Sequence, residues 1–194
     1  AETVNDQTTK KMKHRHKTNN MAKITEVRLT LAAFIYGVEI DLKNTIKKYI
    51  APFHEDIHFF HDNDLQLKVV ERFNKENPGV DYKKSLEDIV DFLDFGDTFV
   101  ILNKNNVFLT KQTNDFINSI FNDLVSIIPV RNRVMHTRPL LGGDFAIVYD
   151  FITKLKTNDP IEWKATIETR NLIEKDPSYV LTLKFPPTSF SSQN

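Results

Sequence analysis

The chain has 194 residues, and 40% of them are hydrophobic, which is enough apolar surface for the core of one domain. Its 26 basic and 26 acidic residues cancel, so the net charge indicates neither a nucleic-acid-binding nor a membrane-surface protein, and any RNA site must be a local patch. The absence of cysteine excludes disulfides, thiolate metal sites and a cysteine nucleophile.

The first part of the chain is polar and basic. Residues 10–17 contain five Lys or Arg and two His, and residues 1–22 hold too few apolar side chains to bury a core. We therefore predict a polar, basic tail over residues 1–22. A solvated extension is favoured over an arm that contacts RNA, because charge runs are mostly solvated.

Three helices are predicted next. Apolar residues recur at three- and four-residue steps from Ile24, which predicts a long first helix to about Tyr49, ended by Pro52. A short second helix over residues 65–73 stops before a Pro-Gly turn. The third helix covers residues 86–93, and its outer face is acidic and unsuited to phosphate. The acidic residues of that face are Glu87, Asp88, Asp91 and Asp94.

The middle of the chain leads to a basic segment. Residues 99–102 are apolar, but their periodicity does not separate helix from strand. Thr110 is a candidate cap for a helix that runs to Pro129. Residues 130–137 are compatible with a short helix beyond that interruption. After Gly142 and Gly143, a further helix is predicted. Its buried face comprises Phe145, Val148, Tyr149, Ile152 and Leu155.

The C-terminal part is predicted as an appended helix and a linker. An amphipathic piece contains Trp163, Ile167 and Ile173, followed by an extended segment over residues 180–185. Residues 186–192 are rich in Pro and Ser, as in linkers. The predicted parts are therefore a tail over 1–22, a helical bundle over 23–157 and an extension over 158–194.

Composition predicts an all-α fold. Only five glycines and eight prolines are present, too few for a sheet protein rich in tight turns, and no internal repeat indicates a solenoid. A helical bundle is the predicted architecture. No apolar run approaches the roughly 20 residues of a membrane span, so we expect a cytoplasmic protein without membrane contact.

A first candidate site is formed by His54, Glu55 and His58, which match the zinc-protease pattern in which two histidines one helical turn apart hold zinc. Pro52 precedes this segment and a polar stretch follows it, which leaves barely two helical turns and no positioned third ligand. We interpret the segment as packing, with Phe53, Ile57 and Phe60 against the bundle and the histidines and acids facing water or one another. No metal and no cofactor is predicted.

The second candidate is the arginine-histidine motif, which we define as residues 131–136, Arg-Asn-Arg-Val-Met-His, with Arg138 just beyond. RNA cleavage without metal needs a group that accepts the proton of the 2′-hydroxyl and a fixed cation for the phosphate oxygens. Histidine suits proton transfer near neutral pH, and the planar fork of arginine matches phosphate. His136 and an arginine supply both groups, and Asn132 can orient the imidazole or bind phosphate.

Helical spacing leaves the choice of arginine open. At about 100° per residue, Asn132 and His136 share a face, Arg133 lies nearby, and Arg131 lies about 140° from His136. Spacing alone favours Arg133. An irregular first turn after Pro129 would instead let Arg131 bend back toward the histidine.

Arg131, Asn132 and His136, near the end of a helical bundle, resemble the signature of HEPN domains, in which arginine precedes histidine by four to six residues. The resemblance covers residues 24–155, and most of it lies in residues 130–140. It implies a homodimer whose motif helices face each other across a composite cleft. That cleft cuts RNA without metal and leaves a 2′,3′-cyclic phosphate, with Arg131 and His136 in the catalytic roles.

The resemblance also implies RNA as the partner, with Arg133 and Arg138 as RNA-binding residues, in a defence or toxin-type system. Some HEPN domains instead act as non-catalytic dimerisation or sensor modules of larger NTPases, and the linker-like C-terminus is compatible with such a fusion. A purely structural interpretation remains as well: Arg131, Arg133 and His136 would cap a helix end and pair with surface acids.

Overall fold

The structure is a computed structural model that describes the backbone of residues 3–182 and the side chains of residues 26–181. Every regular element in this part of the chain is a helix, which confirms the all-α prediction. The α-helices are α1 (Thr3–Tyr49), α2 (Asn63–Glu76), α3 (Leu86–Ile89), α4 (Phe95–Lys104), α5 (Lys111–Met135), α6 (Asp144–Lys154), α7 (Lys164–Lys175) and α8 (Tyr179–Thr182). Short 3-10 turns join them at Ala51–Phe53, Ile57–Phe60, Tyr82–Lys84, Val90–Phe92 and Asn106–Phe108.

Helix α1 is the centre of the fold, and α4, α5, α6, α7 and α8 all pack against it. The apolar stripe predicted from the sequence is buried except at its first member, Val27, which is 38% exposed. Its buried members are Leu31, Phe34, Ile35, Val38, Leu42 and Ile46. The helix begins at Thr3, 21 residues before the predicted start at Ile24. No glycine or proline occurs in the first 36 residues, so nothing in the backbone chemistry interrupts a helix there.

In the middle of the chain, one prediction is wrong and one question that the sequence left open is settled. The third predicted helix is split into α3 and a 3-10 turn at Val90–Phe92, after which Leu93 is extended. The ambiguous residues 99–102 are helical and lie inside α4, whose start is closed by a capping box between Asp94 and Asp97. Packing accounts for the helix in this segment, because Phe99, Ile101 and Leu102 face the core while Val100 stays exposed.

Helix α5 runs without a break through Pro129, so the predicted interruption is wrong. Proline removes one backbone donor, here the partner of the Val125 carbonyl four residues earlier. Pro129 and Val125 both lie on the exposed face of α5, where water can hydrogen-bond that carbonyl. The predicted cap is confirmed, since the Thr110 hydroxyl accepts the Thr113 N–H at 3.1 Å.

Helix α7, predicted as an appended helix, packs closely along α1. At Gly37 a Cβ atom would lie 3.1 Å from the Cα of Thr166, so the two helices touch backbone to backbone there. Trp163, just before α7, is 1% exposed. The predicted extended segment is wrong over residues 180–182, which form the end of α8, and the rest of it, with the predicted linker, lies outside the described residues.

A carboxylate of α1 caps the start of α7. One oxygen of Asp41 accepts the Ala165 N–H at 2.9 Å, and the other accepts the Thr166 N–H at 2.8 Å and the Thr166 hydroxyl at 2.7 Å. Burial raises the pKa of Asp41 above its ordinary 3.8, although these three bonds favour the charged form. Within residues 3–182, no helix combines the length and the apolar character needed to cross a bilayer.

Candidate functional site

The arginine-histidine motif lies at the C-terminal end of α5, which Arg28 of α1 holds in place. Nη1 of Arg28 donates to the carbonyl oxygens of Arg133 at 2.8 Å and Val134 at 3.1 Å. Nη2 donates to the carbonyl oxygen of Arg138 at 2.7 Å. The last carbonyls of a helix lack partners within it, and a cation there meets the negative end of the helix dipole. Arg28 therefore fixes both the helix end and the turn beyond it.

The turn after α5 has a defined backbone. Thr137 has a φ of 52°, a left-handed conformation that β-branched residues rarely adopt. The Arg138 N–H donates back to the Arg133 carbonyl at 2.9 Å, and the His136 N–H donates to the Asn132 carbonyl at 3.1 Å. A left-handed residue followed by such a bond is a common helix ending, usually with glycine. His136 and Arg138 thus flank a turn of fixed geometry.

Arg133 is paired inside the fold. Its Nε donates to Oδ2 of Asp144 at 2.8 Å, and its Nη2 donates to Oδ1 of the same carboxylate. Oδ2 also accepts the Leu141 N–H at 2.8 Å, and Asp144 is 2% exposed at the start of α6. The bonds from Arg133 hold the pKa of the Asp144 carboxyl below its ordinary 3.8. Arg133 therefore joins α5 to α6, and its RNA-binding role stays a prediction.

The other polar side chains of the motif have no hydrogen-bond or ion-pair partner among residues 26–181, where side chains are described. These side chains are Arg131, Asn132 and His136, with Arg138 beyond the motif. Four further arginines in this range all donate to a carbonyl or a carboxylate, and they are Arg28, Arg72, Arg133 and Arg170. Unpaired arginines beside an imidazole are suited to phosphate binding and proton transfer.

Burial differs among the unpaired groups. His136 and Arg138 are exposed, whereas Arg131 and Asn132 are half-buried. The Nε atom of Arg131 is buried without an acceptor. A donor withheld from water in this way is uncommon and indicates either a functional role or a bound group.

The continuous path of α5 decides where these side chains project. Because the helix is regular past Pro129, the irregular first turn predicted for Arg131 is wrong. At about 100° per residue, Asn132 and His136 lie on one side, while Arg131 lies about 140° away from His136. Arg131 thus projects next to the buried Ile127 and Val134. Within one chain, Asn132 and His136 therefore lie on the same side of α5, whereas Arg131 projects from a different side.

Apolar side chains surround the motif on the protein surface. Val27 is 38% exposed, Met135 42%, Leu141 61% and Phe145 39%. Each lies within three residues of Arg28, Arg133 or Asp144, the three residues that fix this end of the bundle. We call these four residues the apolar rim. Exposed apolar groups clustered beside cations are typical of interaction surfaces.

The two histidines of the zinc-protease pattern do not lie on one helix. His54 is extended after the Ala51–Phe53 turn, and Asp56 is extended before the Ile57–Phe60 turn, so His54 and His58 are not one helical turn apart. The His54 ring packs against Phe59 and Phe108. Ile57 and Phe60 are buried as predicted, but the prediction for Phe53 is wrong, since it is 66% exposed. Within the described part of the chain, no three His, Cys, Asp or Glu side chains are grouped to hold a metal ion.

Comparisons with known proteins add no further constraint on this site. No family model, curated protein or solved structure matches the chain. The resemblance to HEPN domains therefore stays a hypothesis that rests on the arginine-histidine motif, and its consequences are argued below from the geometry of α5.

Sequence reasoning missed Arg28 and Asp144 as parts of the site. Asp144 carried a weak signal, because an acidic residue in the first turn after Gly142 and Gly143 is favoured by the helix dipole. Arg28 carried none, since its partners lie 105 to 110 residues away in the chain. Only the tertiary packing of α1 on α5 reveals its role.

We expect Arg28→Ala to lower the free energy of unfolding by about 1 to 2 kcal/mol, because carbonyl groups at the end of α5 lose their donors. Urea denaturation measures this effect. Amide hydrogen exchange at His136 and Arg138 is expected to accelerate in the same variant. The matched control is Lys154→Ala, which removes an exposed ion pair with Asp123 and is expected to change little. Equal effects of both substitutions would contradict the role given to Arg28.

Acid is expected to weaken the Arg133–Asp144 pair. The pKa of Asp144 is lower in the folded chain than in the unfolded one, so the unfolded state takes up a proton first as pH falls. The stabilisation is complete above the unfolded pKa of about 3.9 and is lost as pH falls through the folded pKa. We therefore expect the stability difference between wild type and Asp144→Asn to be constant from pH 7 to 5 and to shrink below about pH 4. Urea titrations across this range test it, and a difference that does not change in acid would refute it.

Proposed function

We propose that this chain is a metal-independent RNA endonuclease that acts as a homodimer. The observation that carries the proposal concerns the arginines: among the arginines whose side chains are described, only Arg131 and Arg138 lack a bonded partner, and they precede and follow the exposed His136 in the chain. Arg28 binds the backbone carbonyl groups at this helix end, and Asp144 binds Arg133. Arg131, His136 and Arg138 therefore remain available for substrate. The proposal extends to a cytoplasmic protein of a defence or toxin-type system.

The proposed reaction is an attack within the RNA strand. His136 accepts the proton of a 2′-hydroxyl, whose oxygen bonds to the adjacent phosphorus. The bond from phosphorus to the 5′-oxygen breaks, and a protonated imidazole or water supplies the proton for that leaving group. The products are a 2′,3′-cyclic phosphate and a 5′-hydroxyl. Arg131 stabilises the charge that develops on the phosphate oxygens, and Asn132 orients the imidazole from one turn earlier on the same face.

The helix geometry supports the dimer. Arg131 and His136 of one chain project about 140° apart. A second copy related by two-fold symmetry is the direct way to bring Arg131 of one chain to His136 of the other. The apolar rim surrounds the motif and supplies surface for such a contact. In this arrangement each site takes Arg131 from one chain and His136 from the other.

The proposal is tested with mixed cellular RNA in EDTA, which removes metal-dependent contaminating nucleases. We expect cleavage by the wild-type protein and fragments that end in cyclic phosphate, detected by end-specific labelling. Analytical ultracentrifugation at micromolar concentration is expected to show a dimer. A folded dimer that leaves RNA intact under these conditions would contradict the catalytic proposal, and a monomer would contradict the composite site.

A second candidate function is a non-catalytic dimerisation or sensor module of a larger multidomain NTPase. The observation that favours it is the pairing of Arg133 with Asp144, which gives one of the motif's two arginines a structural role. The two candidates differ in their response to salt. RNA binding through released counterions weakens steeply as salt rises, whereas an apolar dimer contact does not. Electrophoretic mobility shifts at two salt concentrations separate them.

A further inference from the structure

A cavity of about 530 Å³ lies between α1 and the C-terminal end of α2. The side-chain amide and the backbone N–H of Asn77 both donate to the Phe73 carbonyl, at 3.1 and 2.8 Å, and end α2 there. Gly79 then turns the chain with a φ of 82°, a conformation that glycine adopts without strain. None of the lining residues belongs to the arginine-histidine motif, and the volume lies in the range of small-molecule sites.

Three aromatic rings line this cavity. Phe73 and Phe92 pack edge to face, with ring centroids 5.4 Å apart and ring planes at 74°. Tyr36 of α1 is 46% exposed, and its hydroxyl has no hydrogen-bond partner among residues 26–181. The face of an aromatic ring carries a negative electrostatic potential and attracts cations, most strongly where water is excluded. The rings therefore favour an organic cation over a neutral ligand.

The charge of the cavity wall is negative. Among the described residues that line it, Lys43 is the one cation, and it is 9% exposed. Its Nζ donates to Glu39 at 2.7 Å and to the backbone carbonyl of Asp91 at 2.9 Å, so the lysine is held within the wall. The Asp91 carboxylate pairs with Lys47 at 2.7 Å. Two of the four carboxylates in the wall are thus neutralised by protein cations.

The other two carboxylates are Glu76, at the end of α2, and Asp88, on α3. Both are exposed, and neither has an ion-pair partner among residues 26–181. They come from different elements, and in the described part of the chain no three acids or histidines are grouped to hold a metal ion. Separated carboxylates in a cavity with aromatic walls match a ligand whose positive charges are themselves separated by apolar groups.

We propose that this cavity binds an aliphatic polyamine. One ammonium group pairs with Glu76 and another with Asp88, through charge-assisted hydrogen bonds to the carboxylate oxygens. The methylene groups between them lie against Phe92 and the ring of Tyr36, where they bury apolar surface that a hydrated metal ion lacks. Asp88 and Asp91 belong to the acidic face predicted for the third helix, so a surface unsuited to phosphate acquires a role as a cation site.

Isothermal titration calorimetry of the full chain with spermidine tests the site. We expect saturable binding that weakens by more than about tenfold in Glu76→Gln with Asp88→Asn, because the charge-assisted hydrogen bonds are lost. Tyr36→Ala is expected to weaken binding by about fivefold, since a contact between an ammonium group and a ring is removed. All three positions are exposed, so the fold is expected to persist, and circular dichroism melts verify it.

The matched control removes the same charge elsewhere. Asp115→Asn with Asp150→Asn changes two exposed acids of α5 and α6 outside the cavity, and the affinity is expected to stay within about twofold of wild type. Equal weakening by the two double variants, or no saturable binding to wild type, overturns the proposal. Magnesium chloride titrated in the same way tests the class of ligand, and magnesium that binds as tightly as spermidine overturns the polyamine assignment. None of these signals depends on RNA cleavage, so the result is independent of the proposed function.

Discussion

RNA cleavage in EDTA is expected to fall by a factor of about 10³ in His136→Ala, within the range that general-base catalysis contributes. The imidazole is exposed at the end of α5 and has no partner among residues 26–181, where side chains are described, so its removal leaves the packing intact. We expect an unchanged melting temperature together with lost cleavage. Initial rates on a fluorescent RNA substrate, beside circular dichroism melts, provide both measurements.

The matched control for His136→Ala is Thr137→Ala. Thr137 is the next residue, is also exposed and holds the left-handed turn, but it has no role in the proposed chemistry. Its rate is expected to stay within a few-fold of wild type. Cleavage retained by a folded His136→Ala protein would falsify the assignment of the catalytic base.

A composite site also predicts that mixed dimers of two inactive variants regain activity. Arg131→Ala and His136→Ala proteins are each inactive, but a dimer of the two holds one site with both groups intact if the groups come from different chains. Random pairing gives half heterodimers with one of two sites complete, hence about a quarter of the wild-type rate after co-refolding. If both groups of a site came from one chain, no site in the mixture would be complete and no activity would return. The mixture therefore tests the 140° separation on α5 directly.

The second large effect is expected at the start of α7. Asp41→Ala leaves two backbone N–H groups and the Thr166 hydroxyl buried without their acceptor. Each unsatisfied buried donor costs about 1 to 3 kcal/mol, and the removal of a buried charge offsets part of this, so we expect a loss of about 3 kcal/mol. Urea unfolding monitored by Trp163 fluorescence measures the loss beside this cap.

Asp41→Asn is an instructive companion because it keeps the shape of the side chain. Its amide group turns a donor toward Thr166, whose backbone N–H is also a donor, so we expect most of the loss to remain. The control is Thr166→Ser, which retains the hydroxyl and both N–H bonds and is expected to lose less than half as much. Full stability in Asp41→Asn would show that one acceptor oxygen is enough to cap α7.

The fold could be predicted from the sequence where the apolar pattern is long. The stripe of α1 from Leu31 to Ile46 is buried as its period indicates. Predictions failed where a local signal competed with packing. Pro129 suggested a break, but the energetic cost of proline is small where the orphaned carbonyl faces water, and the buried positions on either side continue the same helical face.

The candidate site could be predicted less completely. Composition and spacing identified Arg131, Asn132 and His136, and they cannot indicate that Arg133 has a carboxylate partner eleven residues later. Nor can they indicate Arg28, whose contacts depend on two helices that run side by side although they are distant in sequence. Periodicity records which face of a helix is buried, but not which neighbour buries it.

Several hydrogen bonds of this fold join α1 to residues that come more than a hundred positions later in the chain. Arg28 meets residues more than a hundred positions later, and Asp41 meets α7 at a similar separation. During synthesis, the part of α1 that packs on α7 therefore leaves the ribosome uncovered, and it stays uncovered until residues 163–175 have been made. Such long loops slow folding relative to bundles of sequential hairpins, and they extend the interval in which a chaperone has a binding surface.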